Sequence, residues 1–264
     1  MKNLFNPISI CFSTRYQSGL LNNRLSLKNN EVHIWLLEIE KIKSSLSDIS
    51  LILSFNEIEK AKKFRTFTLQ RLFCLSHGYL RLILSSYLLC LPQRIEFKYG
   101  QYGKPYLKDN FQANNQTIYF NMSHSHNAVL YGIYLNSEIG VDLEYIQQDL
   151  DWQEIANLVL TQKEKKKILL LPKKSAQIKE FYRIWTCKEA FLKARGTGLN
   201  ISPSSIETNY LPNYCFHHSG FRKYMINFLN LNSSIHSFEI LPNYMSAFVV
   251  SEEAKALKFF NTIY

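Results

Sequence analysis

The sequence predicts an α+β fold of two halves with similar plan, each packing one long helix on an antiparallel sheet. Three observations lead there. A strand-like run, a long helical stretch and three further strand-like runs are followed by a second block of strand, helices, long helix and several strands. The two long helical stretches, near residues 69–89 and 181–193, each keep an apolar stripe at 3.6-residue spacing. Asn136-Ser137 breaks the pattern between the blocks, which puts the seam between Leu135 and Glu138. The expected division is an irregular extension over 1–30, a first half over 31–136 and a second half over 137–264.

Residues 1–30 are rich in Asn and Ser and hold no sustained period, as expected of a terminal extension draped on the body. Glu31–Ile39 is dense in β-branched and aromatic residues and reads as a strand. Helical patterning starts near Ser54, with Asn56 as cap ahead of Glu57 and Glu59. Leu72, Leu75, Tyr79, Leu82 and Ile83 carry the first long helix, and Pro92 ends it. Arg94–Tyr99 alternates, Gly100–Pro105 is a turn, and 117–121 and 128–135 are two more strands. The segment between them, Met122–Asn127, reads as a polar loop with two histidines. Glu138–Ile146 alternates again, and helices follow over 152–160 and 163–171. Gly196 and Gly198 stop the second long helix. Strands are expected at 205–209, 214–218 and 225–231, with a hairpin over 237–251 about Pro242-Asn243.

With 264 residues and 46% hydrophobic content, the chain can bury a sizeable core. Its net charge of +10 suits phosphate-rich or acidic partners without choosing among nucleic acid, a nucleotide cofactor, an anionic protein or a membrane surface. Five cysteines, odd in number and free of Cys-x-x-Cys or Cys/His ligand spacing, argue for reduced thiols in a cytoplasmic protein. Met1–Pro7 lacks the apolar core of a signal peptide. The longest apolar region, Leu80–Leu91, is interrupted by Arg81 and too short to span a bilayer. A soluble protein is expected, with no membrane partner.

Chemistry concentrates in a few places. On the strand Gly140-Val-Asp-Leu-Glu144, Asp142 and Glu144 share one face. Two neighbouring carboxylates raise each other's pKa unless a cation lies between them; otherwise the pentapeptide is a solvated strand face. A hard divalent ion takes oxygen ligands, a few carboxylates plus water and phosphate. On the second long helix, Trp185, Glu189 and Lys193 stack at i, i+4 and i+8. Taken alone that is an amphipathic helix with an exposed Glu–Lys pair; were Glu189 packed over the strand, it would add a third oxygen. Asn121-Met-Ser-His124 and Gly103-Lys-Pro105 complete the set.

In this order, with Asp142 and Glu189 47 residues apart and Gly196-Thr-Gly-Leu199 at the end, the motifs resemble the Sfp-type (surfactin-synthetase-activating) 4'-phosphopantetheinyl transferase family over roughly residues 51–200. The resemblance implies a pseudo-dimer with coenzyme A in the cleft between halves and a monomeric enzyme. It further implies transfer of 4'-phosphopantetheine from coenzyme A to a serine of an apo acyl or peptidyl carrier protein, leaving 3',5'-ADP. Asp142, Glu144 and Glu189 match the carboxylates that bind Mg²⁺ (Mn²⁺ as a substitute), and Glu189 matches the proposed general base. Lys193 matches the lysine at the coenzyme A pyrophosphate, and Lys188 a neighbouring motif position on the cofactor side. Ser123 and His124 match contacts to the nucleotide 3'-phosphate, Lys104 a nearby basic contact, and Lys60, Lys63 and Arg71 the phosphate-binding cations of the first half.

Two rivals weigh against this reading. A basic nucleic-acid-binding module would need a basic stripe interleaved with aromatics or a helix-turn-helix, and neither is present, so no nucleic acid is expected. An inactive relative kept as an interaction protein is disfavoured because the three carboxylates and Lys193 are all in place.

Overall fold

Small polar side chains decide where the helices start. Ser45, Ser54 and Thr161 each accept from the backbone N–H three residues on, while Asp48, Glu57 and Glu164 reach back to the cap residue, three complete capping boxes. The two longest helices end in left-handed residues, Leu89 at φ 53° and Gly196 at φ 62°. A computed structural model of the chain describes residues 6–9, 25–109, 112–113, 116–211, 222–228, 231–251 and 254–263. The elements up to the seam are β1 (Asn6–Ser9), β2 (Glu31–Glu38), α1 (Leu46–Ser50), α2 (Phe55–Ala61), α3 (Phe67–Leu88), β3 (Phe97–Tyr99), β4 (Pro105–Leu107), β5 (Gln112–Ala113), β6 (Gln116–Ser125) and β7 (Ala128–Leu135). Beyond it come β8 (Ile139–Tyr145), α4 (Trp152–Val159), α5 (Gln162–Leu169), α6 (Lys174–Arg195), β9 (Glu207–Leu211), β10 (Arg222–Phe228), β11 (Leu231–Leu241), β12 (Tyr244–Val250) and β13 (Ala256–Ile263).

The strands form one sheet in the order β1-β13-β2-β7-β6-β5, a second in the order β8-β12-β11-β10-β9, and the small hairpin β3-β4. The second sheet is antiparallel throughout, whereas β13 pairs in parallel with both β2 and β1 at one side of the first. Side-chain alternation sets the layers. Trp35, Leu37, Tyr131 and Ile133 face α3, while Val32, Ile34, Leu36 and Leu130 on the other side of the same sheet meet Val141, Leu143, Phe238 and Phe248 of the second. The far face of the second sheet, with Ile226, Ile235, Ala247 and Val249, carries Cys187, Ala190, Phe191 and Ala194 of α6. The result is an α+β sandwich of four layers: α3, first sheet, second sheet, α6.

Several local expectations change. The cap of α2 is Ser54, not Asn56. The strand expected at 94–99 begins only at Phe97, because Pro92–Arg94 turns as a 3-10 helix and Arg81 Nη1 donates to the carbonyls of Pro92 and Ile95, both at 2.9 Å. Met122–Ser125 is the end of β6 rather than a loop, and the turn is confined to His126-Asn127, with His126 at φ 51°. The strand β13 had no signal in the sequence. Its adjacent Phe259 and Phe260 are both buried, on opposite faces of an interior strand, so alternation is erased. The strand expected at 214–218 lies outside the described residues. Cys74, Cys90 and Cys187 are free thiols, and Cys11 and Cys215 lie outside the described residues. Among the described residues no helix is long and apolar enough to cross a membrane.

One glycine sets the spacing that matters for the site. A methyl group at Gly140 of β8 would fall 1.9 Å from the Ala190 carbonyl oxygen and 2.4 Å from the Ala194 amide nitrogen. The strand and α6 therefore touch backbone to backbone, with alanines on the helix side. Gly140→Ala is expected to cost at least about 1–3 kcal/mol in urea unfolding, the range for overpacking a tight contact. A variant with the parent's unfolding midpoint would contradict this contact.

Candidate active site

From Phe181 to Ala194 the α6 side chains are buried except Trp185, Glu189 and Lys193, which are half-buried and line up on one stripe. That stripe faces β8, whose Gly140, Asp142 and Glu144 point toward α6 while Val141 and Leu143 point into the inter-sheet core. Lys193 Nζ donates to Asp142 Oδ1 at 2.6 Å and to Ser123 Oγ at 2.7 Å, and Ser123 Oγ donates to the same Asp142 oxygen at 2.9 Å. Asp142 is 2% exposed, and its Oδ2 is buried without a hydrogen-bond partner.

The open edge of β8 is closed by β6. Asn121, Ser123 and Ser125 alternate along β6, so all three reach the same way. Asn121 Oδ1 accepts from the Val141 amide at 2.9 Å, and Ser125 Oγ accepts from the Tyr145 amide at 3.0 Å. Ser125 Oγ also donates to Glu144 Oε2 at 2.8 Å. Side chains of one sheet thus replace a backbone ladder to the other and hold both β8 carboxylates.

Burial pushes the Glu144 carboxyl up to about 6, helped by the Asp142 charge and opposed by Ser125, Lys193 and Trp185. Glu189 is raised for the same two reasons, burial first and Asp142 second, with Lys193 opposing. His124, at the exposed rim, is lowered by partial desolvation and then by the Lys193 ammonium. With Asp142 raising both glutamates and a single lysine opposing, the three carboxylates make a centre of surplus negative charge. An all-oxygen donor set with a buried, unpartnered Asp142 oxygen fits a hard divalent cation. Among the described residues the side chains as they stand do not form a ready cluster of three or more metal-ligating groups.

The other expected contacts are placed differently. Lys188 does not join the cleft: it is 0% exposed, and its Nζ donates to Glu164 Oε2 at 2.6 Å and the Val159 carbonyl at 2.7 Å. Adjacent helix residues point about 100° apart, so Lys188 turns to the back of α6 as Glu189 turns to the front. Lys104 is also taken up: its ammonium pairs with Glu138 and donates to the Ala194 and Ile139 carbonyls at 2.8 and 3.3 Å. All three of its donors are spent, tying the Gly103 turn to the start of β8 and to the last turn of α6. Ser123 is buried beneath Lys193 rather than presented to a ligand. Arg71 donates to the Ile39 and Ile42 carbonyls at 3.2 and 2.9 Å. Lys60 lies over the Phe73 ring, 5.3 Å from its centroid, in a 320 Å³ cavity with Glu57, His77 and Arg81, and Lys63 is exposed between α2 and α3. Among the described residues no hydrogen bond or ion pair joins Lys60, Lys63 or Arg71 to the carboxylates. Sequence reading missed Ser125, which a strand period carried through residue 125 would have exposed, and Glu164, whose capping role hid its pairing with Lys188.

Two outcomes follow from this geometry. In metal-free protein, carboxyl-carbon NMR is expected to give Glu144 a pKa of about 6, and Asp142→Asn is expected to lower it by removing a repelling charge. No change in that variant would separate the two carboxylates. Lys188→Met leaves Glu164 charged and unpaired in the core and is expected to cost about 3–5 kcal/mol of stability, read from urea unfolding. Unchanged stability with lost coenzyme A affinity would instead return Lys188 to the cleft.

Residues 138–230 match the family model of the 4'-phosphopantetheinyl transferase superfamily. The 4'-phosphopantetheinyl transferase HetI of Nostoc sp. (strain PCC 7120 / SAG 25.82 / UTEX 2576) is 37% identical over 175 residues, 66% of this chain and 73% of the relative. The 4'-phosphopantetheinyl transferase AcpT of Salmonella typhi is 34% identical over 116 residues, 44% of this chain and 56% of the relative. The 4'-phosphopantetheinyl transferase gsp of Aneurinibacillus migulanus is 33% identical over 115 residues, 43% of each chain. A carboxylate-bearing strand and a Glu–Lys helix in direct contact are found within the matched residues, and the chain belongs to the 4'-phosphopantetheinyl transferase superfamily.

Proposed function

We propose that the chain transfers the 4'-phosphopantetheine group of coenzyme A to a serine of an apo acyl or peptidyl carrier protein, releasing 3',5'-ADP. The observation that carries this reading is the half-buried Trp185–Glu189–Lys193 stripe set against Asp142 and Glu144. Asp142, Glu144 and Glu189 would hold Mg²⁺ or Mn²⁺, and when bound such an ion supplies positive charge to the phosphate oxygens. Residues 31–136 and 137–264 serve as the two halves of a monomer working in the cytoplasm, with β13 of the second crossing over into the first sheet.

The chain's own groups divide the remaining tasks. Glu189 takes the proton of the carrier serine hydroxyl as that oxygen bonds to phosphorus; the bond from phosphorus to the bridging oxygen breaks, and its electron pair leaves with 3',5'-ADP. A carboxylate raised by burial and by Asp142 is a better proton acceptor than an ordinary one. Lys193, half-buried beside Asp142, supplies charge for the diphosphate, where positioning and electrostatics supply most of the rate. His124 at the rim, with Lys60, Lys63 and Arg71 from the first half, are the proposed contacts for the remaining phosphates.

Incubation with coenzyme A, Mg²⁺ and several apo carriers is expected to add the mass of one phosphopantetheine to a carrier. Glu189→Gln is expected to lower the rate by about 10²–10⁴-fold while circular dichroism stays unchanged. Full activity in that variant, or transfer to none of the carriers, would contradict the proposal.

A further inference from the structure

Ser125 directly follows the Asn121–His124 stretch and bonds both a β8 carboxylate and a β8 amide. A hydroxyl offers one proton and two lone pairs. The Tyr145 backbone N–H, 3.0 Å away, can only donate, so it occupies a lone pair of Ser125 Oγ. The proton is then committed to Glu144 Oε2 at 2.8 Å. The direction of the bond follows from the chemistry of its partners.

The frame behind Ser125 is held on two sides. In the turn that follows, the Asn127 carbonyl accepts from the Ile39 amide at 2.8 Å, and the Asn127 amide donates to Tyr244 Oη at 3.3 Å. Ser125 is thus fixed to the end of β2 and to β12, while its hydroxyl points across to β8. Glu144 needs such a hold. It shares a strand face with Asp142, two residues away, and like charges at that spacing drive a free glutamate side chain apart from its neighbour. Its own chain has enough rotatable bonds to swing out to solvent.

We infer that Ser125 is the positioning residue for Glu144, turning its carboxylate toward Asp142 so that one divalent cation can be held by both. The inference rests on the proposed metal site. It assigns Ser125 a role through Glu144, distinct from that of Ser123, which supports Asp142 and Lys193. Residues that orient a metal-binding carboxylate typically contribute about 10–100-fold in affinity.

The test is Mn²⁺ binding to the full chain without coenzyme A, followed by electron paramagnetic resonance. Ser125→Ala is expected to weaken Mn²⁺ binding about tenfold, and Ser125→Thr, which keeps the hydroxyl, to restore it. In turnover, the rate of Ser125→Ala is expected to fall at low Mg²⁺ and recover at saturating Mg²⁺, which a purely structural defect would not do. If Ser125→Ala fails to fold, Ser125→Cys, whose thiol donates only weakly, carries the same expectation. Parental Mn²⁺ affinity in the Ser125 variants beside weakened binding in Glu144→Gln would overturn the inference and leave the metal site standing. Unweakened binding in both Glu144→Gln and Asp142→Asn would overturn the metal site, and this inference with it.

Discussion

Asp142 is a buried carboxylate, and the structure around it is arranged to make that tolerable. An ionised carboxyl taken out of water costs several kcal/mol unless charge and hydrogen bonds compensate. Here compensation comes from Lys193 and Ser123, both on Oδ1, while Oδ2 is buried without a partner. Lys193 can reach Asp142 only because α6 lies directly on β8, and α6 can lie there only because residue 140 has no side chain. Two further lysines hold the helix down. Lys188 ties its back to Glu164 and the Val159 carbonyl. Lys104 donates to the Ala194 carbonyl in its last turn, where a helix presents unpaired carbonyls and negative potential.

The same region joins the two sheets. As the edge strand of its sheet, β8 has amides with no strand partner on one side. Asn121 and Ser125 satisfy those of Val141 and Tyr145, and the serines of β6 reach both carboxylates. Buried polar networks are useful when fully satisfied and costly otherwise. This one is satisfied except at Asp142 Oδ2, which is buried without a hydrogen-bond partner.

Much of this was legible in the residues. Asp142 and Glu144 on one strand face, and Trp185, Glu189 and Lys193 on one helix stripe, follow from periods of 2 and 3.6, and both hold. Position along a helix is harder to turn into direction when two polar residues are adjacent, and Lys188, beside Glu189, points into the core instead. Its partner Glu164 lies 24 residues away, and nothing local marks it. Lys104 likewise looked like a free turn lysine until the fold brought Glu138 and the end of α6 to it. Ser123 and Ser125 were hidden by polarity: Met122–Ser125 looks like a loop because its polar side chains pair with another strand rather than with water. The last strand was hidden by the reverse, burying the adjacent Phe259 and Phe260 on opposite faces and joining the first sheet rather than its own half.

The most direct measurement is anomalous scattering from Mn²⁺ in crystals grown with coenzyme A. The expected result is one Mn²⁺ peak in contact with Asp142 and Glu144 of β8 and Glu189 of α6, with the diphosphate beside Lys193. A peak elsewhere, or a diphosphate held away from the α6 stripe with the Lys193–Asp142 pair still closed, would contradict it.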